Sequence, residues 1–149
     1  MTWIVIRVRG GLHARGDILE TLEFLHLTRP NHATVIPEAP SFRGMLYKVQ
    51  GYVTWGEAEP ETIGLLLKQR GERPPTDGGL TKATAKTGEL GDLAGAVHQQ
   101  GLLHVAGVRP MFRLKPPKGG WRSTKKSFVQ GGALGYRGRA INALAQKMV

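Results

Sequence analysis

A chain of 149 residues, 40% of them hydrophobic, is long enough to bury a core of its own, which argues against wholesale disorder. It has no cysteine, so disulfides, thiolate metal sites and cysteine nucleophiles are excluded together, in keeping with a reducing cytoplasm. The formal net charge of +10 calls for polyanionic partners and says nothing about fold.

The charge is unevenly spread. Residues 1–74 carry nine Lys/Arg against eight Asp/Glu, whereas residues 75–149 carry twelve against three. Asp92 is the last acidic residue, and ten cations follow it without an opposing carboxylate side chain. Ordinary surfaces interleave both signs, so the second half is read as a nucleic-acid-binding surface and not as an incidentally basic one.

In chain order, Trp3 to Arg9 alternates as a strand, with Ile4, Ile6 and Val8 on one face and Trp3, Val5, Arg7 and Arg9 on the other. The first face is expected to pack against helices and the second to be solvated or pressed against an anion. Gly10-Gly11 breaks the strand, and Leu12 to Gly16, with Arg15, reads as a basic loop. Asp17 and Glu20 resemble a capping box for a helix carrying Ile18, Leu22 and Leu25, stopped at Arg29-Pro30-Asn31. The β-branched run in His32 to Pro37 predicts a second strand. Ser41 is the expected N-cap of a second helix, with Phe42, Met45, Leu46 and Val49 on its apolar stripe and Arg43, Tyr47 and Lys48 off it. Tyr52 to Trp55 is the third strand.

The chain to this point is βαβαβ: an α+β fold with a small three-stranded antiparallel sheet and helices on one face. Residues 1–58 form this core in our division, and residues 59–149 an extension. Pro60 sits near the start of a helix carrying Ile63, Leu66 and Leu67, with Arg70-Gly71 as its C-terminal signal. Glu72 to Pro75 is a linker and Thr76 to Gly88 a polar loop. Leu90, Leu93, Ala94 and Val97 space out a short helix closed by Gly101. Val108 to Leu114 suits a strand, Lys115 to Gly120 suits no regular structure, and Ile141, Leu144 and Met148 line a final helix. No apolar run approaches a signal peptide or a membrane span, so a soluble intracellular protein is expected.

Two constellations suit a polyphosphate. Arg113 to Phe128 holds six cations (Arg113, Lys115, Lys118, Arg122, Lys125 and Lys126) among Ser and Thr hydroxyls. Cations neutralise phosphates, hydroxyls add hydrogen bonds, and Trp121 and Phe128 are able to stack on exposed bases or else to pack inward. Gly131 to Arg139 combines glycines that permit close backbone approach with Arg137 and Arg139 ahead of a helix N-terminus. It lacks the lysine of a Walker loop and the context of a dinucleotide fingerprint. Glu57, Glu59 and Glu61 could hold Mg²⁺ in a nuclease, but acidic groups at a helix start are better explained by its dipole. The five histidines have no metal-ligand spacing, and no catalytic group or cofactor is indicated.

Pro40 to Val49 with Tyr52 to Glu57, the Phe112 to Pro117 segment, Gly131 to Gly138, and Asn142 with Leu144 together resemble a known family. It is the family of large ribosomal subunit protein thirty in its archaeal and eukaryotic form, and the likeness covers essentially the whole chain. Bacterial relatives are similar to the first 57 or so residues alone, so the remainder looks like an archaeal-type extension. Gln130 and Ala133 stand where acidic residues are common, making this tail more basic, and the Thr76 to Gly88 loop is its own.

The resemblance implies a ferredoxin-like core and a non-catalytic structural constituent of the large subunit, present once per subunit. Its implied partners are large-subunit rRNA, with the 5S RNA region included, and neighbouring ribosomal proteins, with no membrane. Arg43 and Gly44, the Arg113 to Lys126 loop and Arg137-Gly138 are the RNA contacts it implies. Arg7, Arg9 and Arg15 are added from the strand and loop pattern as a surface shared with Arg43, and Lys48 and Arg139 as neighbouring cations. The competing functions are a metal-dependent RNA-processing enzyme built on Glu57, Glu59 and Glu61, or a basic adaptor that grips an acidic protein.

Overall fold

A computed structural model describes residues 2–70, 95–101 and 110–149. Strand β1 (Thr2–Arg7) lies between β2 (His32–Pro37) and β3 (Val53–Glu57), antiparallel to both. Helices α1 (Gly16–Phe24) and α2 (Pro40–Lys48) complete the expected α+β, ferredoxin-like core.

Local chemistry shifts several boundaries. Asp17 does not cap α1. Arg15 holds the cap position, and the one backbone N–H that the Asp17 side chain is shown to accept is that of neighbouring Ile18, at 3.0 Å. The helix ends at Phe24, because His26 takes a left-handed φ of 59° before the Arg29-Pro30 turn is reached. In α2, Pro40 fills the first helical position and Ala39 the cap, one step ahead of Ser41, as proline's fixed φ and missing N–H favour.

The extension enlarges the sheet. After α3 (Pro60–Arg70), strands β4 (Phe112–Arg113), β5 (Ser123–Ser127) and β6 (Gly132–Tyr136) join it, giving the order β4-β2-β1-β3-β6-β5. The three-stranded sheet expected from sequence is therefore the centre of a six-stranded one. β4 pairs with β2 and is shorter than the expected Val108 to Leu114 strand; residues 108 and 109 lie outside the described set. β6 runs parallel to β3, a geometry open to it because α3 and all that follows supply the crossover. β5 pairs with β6 in an irregular register through Ser123 and Ser127, joined by a 3₁₀ turn at Phe128–Gln130.

Residues 95–100 are helical, Val97 is buried and Gly101 has a φ of 77°. The rest of that expected helix, with the Glu72 to Pro75 linker and Thr76 to Gly88 loop, lies outside the described residues. The chain closes with α4 (Ala140–Met148).

Both faces of β1 are buried, which corrects the expectation of a solvated arginine face. Trp3 and Val5 pack under α1 and α2 with Leu22, Leu46 and Trp55. Ile4 and Ile6 pack on the other side against Ile63 and Leu66 of α3 and Ile141, Ala145 and Met148 of α4. Full burial of each isoleucine stabilises by about 1.5–3 kcal/mol, and helices of the extension supply cover for this face of β1. The side chain of Asn142 stitches the layers together. It accepts the Glu59 N–H and donates to the carbonyls of Glu57 and Arg139, each at 3.0 Å.

Candidate nucleic-acid interface

Glycines position the cationic segments by letting backbones meet. A Cβ on Gly132 would strike the Lys126 carbonyl, and one on Gly56 would strike the Gly138 carbonyl. The Gly131 to Arg139 run is thus mostly strand, and its glycines let β6 approach β5 and the turn before α4 approach β3. The Arg113 to Lys126 segment is also less free than its composition suggests. The Lys115 N–H donates to the Met148 carbonyl at 2.9 Å and the Lys118 N–H to the Lys147 carbonyl at 3.3 Å, so the loop is fastened to the end of α4.

This folding creates a cleft of about 270 Å³ between the Pro117 to Arg122 loop, the β5–β6 turn and one face of α4. Lys118, Arg122, Arg137 and Lys147 line it together with Trp121 and Phe128, and no carboxylate is among its described lining residues. Trp121 is half-buried, neither fully packed nor free. Cations for phosphates and ring faces for bases are both present.

Arg137 belongs to the cleft and to the fold. Its Nε donates to the Thr54 hydroxyl and its Nη2 to the Ala133 carbonyl, both at 2.8 Å, and its guanidinium lies 5.0 Å from the centre of the Phe128 ring. The Thr54 hydroxyl in turn donates to the Gly135 carbonyl at 2.8 Å, tying β3 to β6. Burial, followed by the nearby Arg122 charge, lowers the Arg137 pKa to about 10. It stays protonated at neutral pH, and among the described residues no carboxylate pairs with it. Arg137→Ala is expected to lower stability by about 2 kcal/mol, or roughly 4–8 °C in Tm, as well as weakening RNA binding. A thermal melt that matches the parent protein would show the hydrogen bonds to be dispensable.

Comparison with known proteins identifies the family. The family model "Ribosomal protein L30p/L7e" matches residues 3–53. The chain is 43% identical to large ribosomal subunit protein uL30 of Methanosphaera stadtmanae, with 99% of each chain covered. It is 42% identical to uL30 of Methanopyrus kandleri, covering 95% of this chain and all of that one. It is 39% identical to uL30 of Korarchaeum cryptofilum, covering 97% and 93%. The chain belongs to the L30p/L7e family of ribosomal proteins. These relatives are ribosomal proteins and not enzymes.

In this L30p/L7e chain the amino-terminal cations are scattered. Arg7 is 4% exposed and donates to the Leu27 carbonyl at 2.7 Å and the Arg9 carbonyl at 2.9 Å. Burial lowers its pKa, and its guanidinium serves the fold. Arg9 is exposed and lies over the Tyr52 ring. Arg15 and Lys48 both pair with Asp17, at 3.4 and 3.8 Å. Arg43 and the exposed Gly44 sit on the first half of α2, which starts just after Pro37, the partner of Thr2. Arg43 therefore lies over Trp3, about 13 Å along β1 from Arg7. The shared surface of Arg7, Arg9, Arg15 and Arg43 does not form.

The described carboxyl-terminal cations outside the cleft are exposed: Arg113, Lys115, Lys125, Lys126 and Arg139. Gly138, with a φ of 59°, is taken up by its packing near β3. Arg139 instead borders a hollow with Glu57, Glu59 and His98. Glu57 ends β3 and accepts the Tyr136 hydroxyl, while Glu61 lies in the first turn of α3. Among the described residues no three His, Cys, Asp or Glu side chains are grouped to hold a metal. No described helix is long and apolar enough to cross a membrane.

Sequence reasoning missed Lys147. Ala140, Ala143, Leu144 and Lys147 recur at i, i+3, i+4 and i+7, and this second stripe of α4 was the available signal.

Proposed function

We propose that this protein is a structural constituent of the large ribosomal subunit, located in the cytoplasm, that binds rRNA and stabilises its fold without catalysis. The supporting observation is the cleft of Lys118, Arg122, Arg137 and Lys147 beside Trp121 and Phe128, with no carboxylate among its described lining residues. Lys115, Lys125 and Lys126 extend the positive field outward, and residues 1–58 act as the rigid platform. A phosphate backbone lying in the cleft relieves the repulsion between Arg137 and Arg122, and the two rings offer faces to unstacked bases. The 5S RNA region and neighbouring ribosomal proteins are the further partners, with one copy per subunit.

Sedimentation tests this directly. In sucrose gradients of a cell extract the protein is expected to travel with large subunits and to leave them only at high salt. Migration apart from the particles at low salt would defeat the proposal.

A further inference from the structure

A second hollow, of about 340 Å³, has the opposite chemistry to the cleft. Its walls are Trp3, Tyr47, Trp55 and Tyr136, and Glu38, Glu57 and Arg43 stand among them. The Tyr47 and Trp55 rings meet edge to face with centroids 6.2 Å apart, and Tyr136 lies 6.3 Å from Trp55 on the other side. Trp3 and Trp55 are buried, whereas Tyr47 is 59% and Tyr136 48% exposed, so the two tyrosines form an open rim over a fixed floor.

Two carboxylates against one arginine make this a locally negative site on a chain of net charge +10. A phosphate would be repelled here. A cation would meet both carboxylates and ring faces whose quadrupoles attract it. The protein already shows the recognition once within itself: the Arg43 guanidinium lies 5.8 Å from the centre of the Trp3 ring and 3.9 Å from Glu38. Glu57 lines the same hollow and, among the described residues, forms no ion pair with an arginine. The Tyr136 hydroxyl donates to one Glu57 oxygen, which fixes the carboxylate and leaves its other oxygen to accept. That bond and partial burial raise the Tyr136 pKa, so the hydroxyl keeps its proton and its orientation.

We propose that this pocket receives an arginine side chain from a basic segment of another polypeptide. The planar guanidinium stacks on aromatic faces and offers a fork of donors to a carboxylate, which a lysine ammonium does not. Tyr136 and Arg137 are adjacent in sequence, yet one lines the acidic pocket and the other the cationic cleft. A single stretch of chain thus separates a surface for phosphate from a surface for a basic protein.

The indole N–H resonances of Trp3, Trp55 and Trp121 report the two sites separately in the full-length ¹⁵N-labelled protein. Hexa-arginine peptide is expected to shift Trp3 and Trp55 saturably and to leave Trp121 in place, and hexauridine to do the reverse. The double variant Glu38→Gln with Glu57→Gln is expected to weaken hexa-arginine binding at least about tenfold, and so is Tyr47→Ala at the exposed rim. Trp3 and Trp55 resonances unmoved by hexa-arginine, an unchanged affinity in the glutamine variant, or hexauridine binding at Trp55 would each overturn the assignment. Failure of hexauridine to reach Trp121 would count against the rRNA cleft alone.

Discussion

Between about 50 and about 200 mM salt, affinity for large-subunit rRNA fragments is expected to fall roughly 10³-fold if about six phosphates are neutralised. The cleft supplies four cations, and the exposed Lys125 and Lys126 of β5 add to them. Lys118 and Arg122 are the cleanest pair to remove, because both are exposed and line the cleft. A double Lys118→Ala, Arg122→Ala variant is expected to flatten the log–log salt slope by about 1.4–1.8, the value of two lost phosphate contacts on single- or double-stranded RNA by analogy with DNA. Its loss of affinity is largest at low salt, and its melting temperature stays that of the parent. Filter binding across a salt series reads the slope. An affinity indifferent to salt, or a variant with the parental slope, would remove the cleft from the interface.

The contrast between Lys118 and Arg137 shows what was legible in the sequence. Six cations between Arg113 and Lys126 announce a polyanion partner whatever the local fold, because charge density needs no topology to be read. That Arg137 also braces β6 against Thr54 depends on a contact spanning 83 residues, which no local pattern encodes. Strand β2 appeared with its expected bounds because Thr34, Val35 and Ile36 carry a strong strand preference and flanking turns. β5 and β6 were hidden for the opposite reason. Ser123 to Ser127 is written in hydroxyls and lysines, and Gly132 to Tyr136 holds two glycines, so both pair through backbone geometry that their side chains disfavour. The buried second face of β1 was misjudged for a related reason. Arg7 looked like a surface residue, but α1 and α2 take the face of Trp3 and Val5, Arg7 finds the Leu27 and Arg9 carbonyls, and α3 and α4 from the extension cover Ile4 and Ile6 instead.

Replacing Asn142 with leucine is expected to destabilise the protein by about 2–4 kcal/mol, lowering Tm by roughly 8 °C. The residue is 4% exposed and its amide makes three hydrogen bonds, so leucine of similar size fills the space and leaves the Glu59 N–H and the Glu57 and Arg139 carbonyls to find other partners. Asn142→Asp separates shape from hydrogen bonding. It keeps an acceptor for Glu59 but turns lone pairs toward two carbonyls, which raises the new carboxyl's folded pKa above its unfolded value. A group shifted upward contributes stability below its unfolded pKa and loses it as pH rises through the folded one, so the aspartate variant's deficit is expected to narrow on acidification while the leucine variant's does not. Melting both variants at neutral and mildly acidic pH decides the matter; parental Tm values would mean the three bonds are replaced by others. Because Asn142 joins the end of β3 and the start of α3 to α4, it links residues 1–58 to the helix that carries Lys147. The parent protein is therefore expected to melt in one transition, and a second transition appearing only in the leucine variant would identify this amide as the joint between core and cleft.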